Sequence, residues 1–391
     1  MTRSPNETAC PEKRLLVACA RTTMPPAIAE EIRTLADGPL DWDLLLAAAA
    51  ENSVTPLLAR HLPTCARGAL SAEQLAQLHD AARANAVRSL ILLAELIKIM
   101  DAFATAGIQA IPYKGPVIAV QAYGDVTLRE FEDLDIVLRQ RDMPKATEVM
   151  TRLGFRPKFP RILSVDADSA LIPGEYDYLD EDRRVVIELH TELTLRHFPI
   201  PPDLNDFARR LVPIALSGHE VRTFAPEDAL LALCIHGSKD FWERISWIAD
   251  VAELVRAYQQ MDWDAVWLRA ETLRARRMLH LGLALAHELL GAQLPDSVLA
   301  RVHTDRSALS LASEIERRLL SRTTPRLSLP ARLSFRHRMV AGTVAGWSYA
   351  ARLAVVPAEE DWMMLRLPGP LAPLYLALRP LRLLLKYARR D

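Results

Sequence analysis

The stretch "KGPVIAVQAYGDVTLREFEDLDIVL", Lys114 to Leu138, decides how the chain reads. Its last seven residues, EDLDIVL, alternate with period two, the pattern of a β-strand with one apolar face. Leu134, Ile136 and Leu138 then point one way, while Asp133, Asp135 and Val137 point the other. Two residues of strand separate the aspartate Cα atoms by roughly 6.5–7 Å. Like charges on one strand face repel, and each carboxyl prefers its neutral form unless a cation holds both. Mg²⁺, a hard cation that takes carboxylates together with substrate phosphates, is the natural partner. The plainer alternative is a solvated strand edge, so the assignment turns on what flanks the pair.

Upstream, KGPVIAVQAYG has helical spacing with a proline near its start. Lys114 could reach phosphate oxygens as a point charge, and Gly115 would let backbone amides approach them closely. A surface lysine ahead of an ordinary helix is the competing account. Downstream, RVVIELH is a second strand rich in β-branched residues, with Ile187 and Leu189 on one face and Glu188 and His190 on the other. If the two strands are neighbours, Glu188 supplies a third carboxylate. Three carboxylates around Mg²⁺ ions and a nucleotide suit in-line attack of an acceptor hydroxyl on phosphorus. Asp133 and Asp135 would hold metal, and Glu188 would hold a second metal or take the acceptor proton.

Around this unit the chain is helical. Pro25 to Thr105 is rich in Ala and Leu at helical spacing, with Gly107 as the stop. IQAIPY is a short apolar segment, MPKATEVMTRLG is a helix ended by Gly154, and a polar and aromatic stretch follows. Strands separated by helices place Ile108 to about Leu195 in a small α/β unit. The run PEDALLALCIHGSKDFWERISWIADVAELVRAY returns to helical spacing, with Pro226, Glu227 and Asp228 suiting a helix start. DWDAVWLRAETLRARRMLHLGLALAHELLG, SALSLASEIERRLLS and HRMVAGTVAGWSYAARLAVV continue as helices. The expected fold class is α+β, mostly helical, with a small mixed sheet embedded between helical regions. Four segments follow: a helical region 1–105, an α/β core 106–200, a helical region 201–300 packing on it, and a helical extension 301–391.

Composition bounds the function. At 391 residues, half of them hydrophobic, with a net charge of −1, the chain is an ordinary globular protein rather than an obvious nucleic-acid binder. Its four cysteines show no CxxC spacing, which fits a reducing compartment and argues against zinc. No secretory-type apolar core follows Met1, and LILLAELIKIM carries Glu95 and Lys98 and is too short to cross a bilayer, so a cytoplasmic location is expected.

"YKGPVIAVQAYGDVTLREFEDLDIVLRQRDMPKA" followed by "VVIELHTEL" resembles an uncharacterised nucleotidyltransferase family of bacteria, a branch of the DNA polymerase β-like superfamily. Shared features are a Lys-Gly turn, a helix, an arginine, a D-x-D strand, and a strand ending in an acidic residue and histidine. The likeness extends to the upstream helices and to "PEDALLALCIHGSKDFWERISWIADVAEL", about Leu40 to Leu290 in all. It implies a minimal nucleotidyltransferase core, with metal at Asp133 and Asp135 and Glu188 in the third acidic position. Lys114 and Gly115 occupy the turn where the superfamily has Gly-Ser on the triphosphate, a departure that leaves the nucleotide grip open. Arg129 matches the family's arginine and would neutralise phosphate, or else pair with Glu130, Glu132 or another acid.

His190 is read either as a hydrogen-bonding partner of a carboxylate or acceptor, or as part of a polar cluster beside Glu188. His236, Lys239 and Glu243 share a face if their helix is unbroken, which would bring His236, Trp247 and Asp250 to the cleft and Lys239 to phosphate. Tryptophans at such spacing are more often core. The C-terminal LYLALRPLRLLLKYARRD, interrupted at Pro380, reads as a basic amphipathic helix packed on the protein's own core ahead of a membrane contact.

The expected function is transfer of a nucleoside monophosphate from ATP or another NTP, with Mg²⁺, to a hydroxyl-type acceptor. A small molecule or peptide stands ahead of RNA as that acceptor, and the resemblance is compatible with natural-product tailoring. A noncatalytic nucleotide- or partner-binding scaffold and a phosphotransferase are the alternatives.

Overall fold

The computed structural model describes residues 10–158, 174–180, 182, 185–192, 207–323, 327–340, 371 and 374–388. Four short helices open the chain: α1 (Pro11–Cys19), α2 (Pro26–Ala36), α3 (Trp42–Glu51) and α4 (Thr55–Cys65). Then comes α5 (Ala72–Thr105), 34 residues and so about 51 Å long. A capping box starts it, Ser71 and Gln74 each bonding the other's backbone amide. It ends before Gly107, as the sequence suggests.

The α/β unit follows with β1 (Ile111–Pro112), α6 (Pro116–Tyr123), β2 (Asp133–Val137), α7 (Met143–Arg152), β3 (Arg156–Pro157), β4 (Glu175–Asp180) and β5 (Val185–His190). The sheet order is β1-β2-β5-β4-β3. Only β2 and β5 run parallel, and every other pair is antiparallel. Leu134, Ile136, Ile187 and Leu189 turn to one face and pack against Leu92, Leu96, Ile99 and Phe103 of α5 and Ala146, Val149 and Met150 of α7. Burying that face fixes the register, because a one-residue slip would turn the aspartates into the core. The opposite face carries the acids.

Two strands fall where the sequence suggested only a helical region. β6 (Val212–Leu216) and β7 (His219–Thr223) form a hairpin across Ser217-Gly218, both at positive φ. Thr223 Oγ1 donates to the Pro112 carbonyl at 2.7 Å and ties the hairpin to β1.

The following run is two helices, α8 (Pro226–Lys239) and α9 (Ile245–Ala257), so Glu243 does not share a helical face with His236 and Lys239. The break comes from Trp242. Its fully buried ring lies so close to Gly237 that a Cβ there would meet it at 2.6 Å, and both Phe241 and Trp242 adopt positive φ to make the turn. Among the described residues the remaining helices are α10 (Trp263–Thr272), α11 (Arg276–Leu290), α12 (Asp296–His303), α13 (Arg306–Leu319), α14 (Leu329–Met339) and α15 (Tyr375–Ala388). α15 continues through Pro380, where an interruption was expected. Most of HRMVAGTVAGWSYAARLAVV, from residue 341 on, lies outside the described residues, as do residues 193–200 of the expected α/β segment.

α1–α4 pack with α8–α13 in one continuous apolar core. The described chain is thus α+β and mostly helical, with a small mixed sheet between helical regions. All four cysteines are free and buried. Among the described residues no helix is long and apolar enough to cross a membrane.

Candidate functional site

Strand register assembles the site. In the β2–β5 ladder Asp135 lies opposite Glu188 and Val137 opposite His190. In the β5–β4 ladder Asp177 lies opposite Glu188 and Glu175 opposite His190. Paired residues share a face, so Asp133, Asp135, Glu188, Glu175, Asp177 and His190 converge on the side away from the core. Donor atoms of Asp135, Glu188 and His190 lie within 4.8 Å of one another, as do those of Glu175, Asp177 and Glu188, whereas Asp133, expected as a ligand, belongs to neither set. The two β4 acids were missed from the sequence. Their signal was the alternation in EYDYLD, Glu175 to Asp180, which puts Tyr176 and Tyr178 into the core and the acids out.

Asp135 is buried and carries two cationic partners. Lys114 Nζ donates to its Oδ1 at 2.7 Å, and His190 Nε2 donates to the same oxygen at 3.0 Å. Burial alone would raise the Asp135 carboxyl, but the Lys114 charge and the His190 hydrogen bond outweigh it and hold it far below the usual range. His190 also approaches Glu188 Oε2 at 3.4 Å, and the Tyr113 ring packs edge-on against it at 5.6 Å. Burial disfavours the imidazolium, yet the bonds to Asp135 and Glu188 push its pKa up to about 9. His190 is therefore charged at neutral pH, and it could ligate a metal only after losing that proton. The same His190 bond, working against burial, lowers Glu188.

Asp133 is the frustrated member. Half-buried and without a hydrogen bond among the described residues, it is pushed up to about 7 by burial first and then by the charges of Asp135 and Glu188. Asp177 is frustrated differently: Lys158 Nζ donates to Oδ2 at 2.6 Å, while buried Oδ1 has no partner. A set of hard oxygen donors, one short of a counter-charge and one with an orphaned oxygen, fits Mg²⁺.

The Lys-Gly turn sits at the edge of the same face. Gly115 has φ +51°, ψ −124°, a conformation glycine tolerates and L side chains rarely adopt. A Cβ there would meet the Asp133 carbonyl at 3.4 Å, an ordinary contact, so it is the positive φ that calls for glycine.

Arg129 faces the cavity, but its guanidinium is engaged from behind. Nε and Nη2 donate to the two oxygens of Asp250, each at 2.8 Å, and the Tyr123 hydroxyl donates to the same carboxylate at 2.8 Å. Of the two accounts open for Arg129, pairing with an acid describes this geometry, and that acid is Asp250 rather than Glu130 or Glu132. Asp250 is accordingly buried behind the wall rather than lining the cleft.

Asp133, Asp135, Glu175 and Glu188 look into a cavity of about 340 Å³. Its lining also takes in Asn85 and Arg88 of α5 and His236, Lys239, Arg244 and Trp247 from the end of α8 and the start of α9. His236 stands edge-on to Trp247 at 5.1 Å. Burial, with the charges of Lys114 and Lys239, holds it well below the usual imidazole range, so it is neutral. Trp247 lines the cavity, whereas Trp242 is core.

A comparison with curated proteins returns no match. Over residues 38–291, more than half of the chain, the sequence matches the family model described as an uncharacterised nucleotidyltransferase, and the chain belongs to that family.

Proposed function

We propose that the protein transfers a nucleoside monophosphate from an NTP to a hydroxyl-type acceptor on a small molecule or peptide, with Mg²⁺ held by Asp133, Asp135 and Glu188. The observation that carries this reading is the register of β2 and β5, which sets Asp135 opposite Glu188 on the face that already bears Asp133, at the wall of a cavity. When bound, the metal would polarise phosphoryl oxygens and neutralise charge on the transferring group. The protein's own groups prepare for that. Lys114 and His190 keep Asp135 ionised, and Lys114 lines the cavity where anionic substrate would arrive, while His190 is buried. Glu188, held low, is a weak proton acceptor, so it suits ligation better than general base catalysis. The near-neutral chain, without a strongly basic surface, favours a small molecule or peptide over RNA as acceptor.

One observation favours a noncatalytic nucleotide-binding role: the Lys114–Asp135 ion pair already satisfies a carboxylate that a catalytic metal would need. Pyrophosphate release separates the two. Purified protein incubated with the four NTPs, Mg²⁺ and cell extract as a source of acceptors is expected to release pyrophosphate. Asp133→Asn with Asp135→Asn should abolish release while retaining the helical circular dichroism of the parent. Release that survives the double substitution, or none from the parent, would remove support for the enzyme reading.

A further inference from the structure

Five cations line the cavity among the described residues: Arg88, Lys114, Arg129, Lys239 and Arg244. Two are committed to carboxylates, Lys114 to Asp135 at 2.7 Å and Arg129 to both oxygens of Asp250. The backbone offers little in compensation. Pro116 has no amide hydrogen, and the Val117 amide donates to the Lys114 carbonyl at 3.0 Å, which removes two donors from the Lys-Gly turn. The start of α9 is occupied as well, with the Ile245 amide on Asn52 Oδ1 at 3.2 Å and the Ser246 amide on the Asn52 carbonyl at 3.2 Å.

The other three cations keep most of their donors. Arg88 spends one N–H on the Glu132 carbonyl at 3.2 Å. Arg244 makes a long bond to Ser53 Oγ at 3.3 Å and lies 5.8 Å from the Trp247 ring centre. Lys239 has its ammonium 3.7 Å from Asp240, beyond a good hydrogen bond. Lys239 and Arg244 come from the turn between α8 and α9, and Arg88 of α5 reaches the cavity beside Asp133 through the Glu132 carbonyl. A triphosphate bears more negative charge than one divalent ion neutralises, and phosphate oxygens take their strongest bonds from just such cations.

We propose that Arg88, Lys239 and Arg244 form the triphosphate grip, holding the outer phosphates from the helical side while the acidic sheet holds metal. The grip adds to the Lys114–Gly115 turn, in which Pro116 and Val117 have no amide to offer. This inference rests on the nucleotidyl-transfer reading of the site and deepens it.

Inorganic tripolyphosphate with Mg²⁺ is the probe, because it is blind to base preference. Isothermal titration is expected to show binding by the parent protein. Each lost charge-assisted bond weakens binding by roughly tenfold or more, so Lys239→Gln with Arg244→Gln should weaken it by about a hundredfold. The thermal midpoint should stay at the parent value. Should the double variant unfold, Lys239→Gln and Arg88→Gln singly carry the same test, each with a loss of about tenfold. Parent-like affinity in variants that remain folded overturns the grip and leaves nucleotidyl transfer standing. Failure of the parent to bind tripolyphosphate, ATP, GTP, CTP and UTP overturns both.

Discussion

Lys114 Nζ and His190 Nε2 both donate to one oxygen of Asp135, at 2.7 and 3.0 Å. The carboxylate assigned to metal therefore carries two cations of the protein's own. Such an arrangement keeps a buried anion tolerable in the absence of metal, and it makes metal binding a competition.

That competition is measurable. Lys114→Met removes the competitor without adding a polar group, so Mn²⁺ titration followed by electron paramagnetic resonance should show binding about tenfold tighter than the parent's, the worth of one charge-assisted bond. Weaker binding would mean that Lys114 organises the carboxylates for metal instead of excluding it.

A second expectation concerns pH. The folded-state pKa of Asp133, about 7, lies above the ordinary carboxyl value of 3.8, so its neutral form stabilises the fold below pH 4 and that contribution is lost as pH rises through 7. His190, raised from 6.5 to about 9, adds stability present below 6.5 and lost as pH rises through 9. Asp135, lowered, acts in the opposite sense, and only below about its unfolded value of 3.8. Below pH 7 the lowered His236, His61 and His280 gain stability with rising pH and oppose Asp133, so the clean window lies above it. In EDTA the thermal midpoint should fall from pH 7 to pH 9 as His190 loses its proton, and a midpoint that rises over this range contradicts the assignment.

The Arg129–Asp250 pair is buried, with the Tyr123 hydroxyl as a third member. Asp250→Ala strands a guanidinium in the interior and should cost about 3–5 kcal/mol. Replacing both partners, Arg129→Met with Asp250→Leu, should recover most of that loss. Urea midpoints for the three variants and the parent provide the comparison, and an Asp250→Ala midpoint equal to the parent's would show that the pair is not structural.

Gly237→Ala tests the turn between α8 and α9. The added Cβ would meet the Trp242 ring at 2.6 Å with Gly282 closing the other side, so the ring cannot retreat. Overpacking of this kind should cost about 1–3 kcal/mol and lower the thermal midpoint by several degrees, with α9 and its Trp247 displaced from the cavity. A fall in nucleotide affinity alongside the midpoint would tie the packing to the site.

Legibility in the sequence followed how local each cause is. β2, β5 and α7 could be read because alternation or helical spacing sits in a few consecutive residues, and their pairing then made Glu188 a neighbour of Asp135. EYDYLD had the same alternation but lay in a stretch of aromatic and acidic residues that resembled loop, so Glu175 and Asp177 were lost with it. The β6–β7 hairpin is short and holds Pro213, a residue that weakens any strand pattern. The α8–α9 break could not be seen because tertiary packing at Gly237 and Gly282 forces Phe241 and Trp242 into positive φ. Arg129 and Asp250 are 121 residues apart, and nothing local at either position names the other.

The fate of the nucleotide's phosphorus atoms distinguishes nucleotidyl from phosphoryl transfer. Parallel reactions with α-³²P- and γ-³²P-labelled NTP, Mg²⁺ and acceptor should place the α label in the product and leave the γ label in pyrophosphate, with neither product formed by Asp133→Asn with Asp135→Asn. Transfer of the γ label to the acceptor, with nucleoside diphosphate left behind, would contradict nucleotidyl transfer at this site.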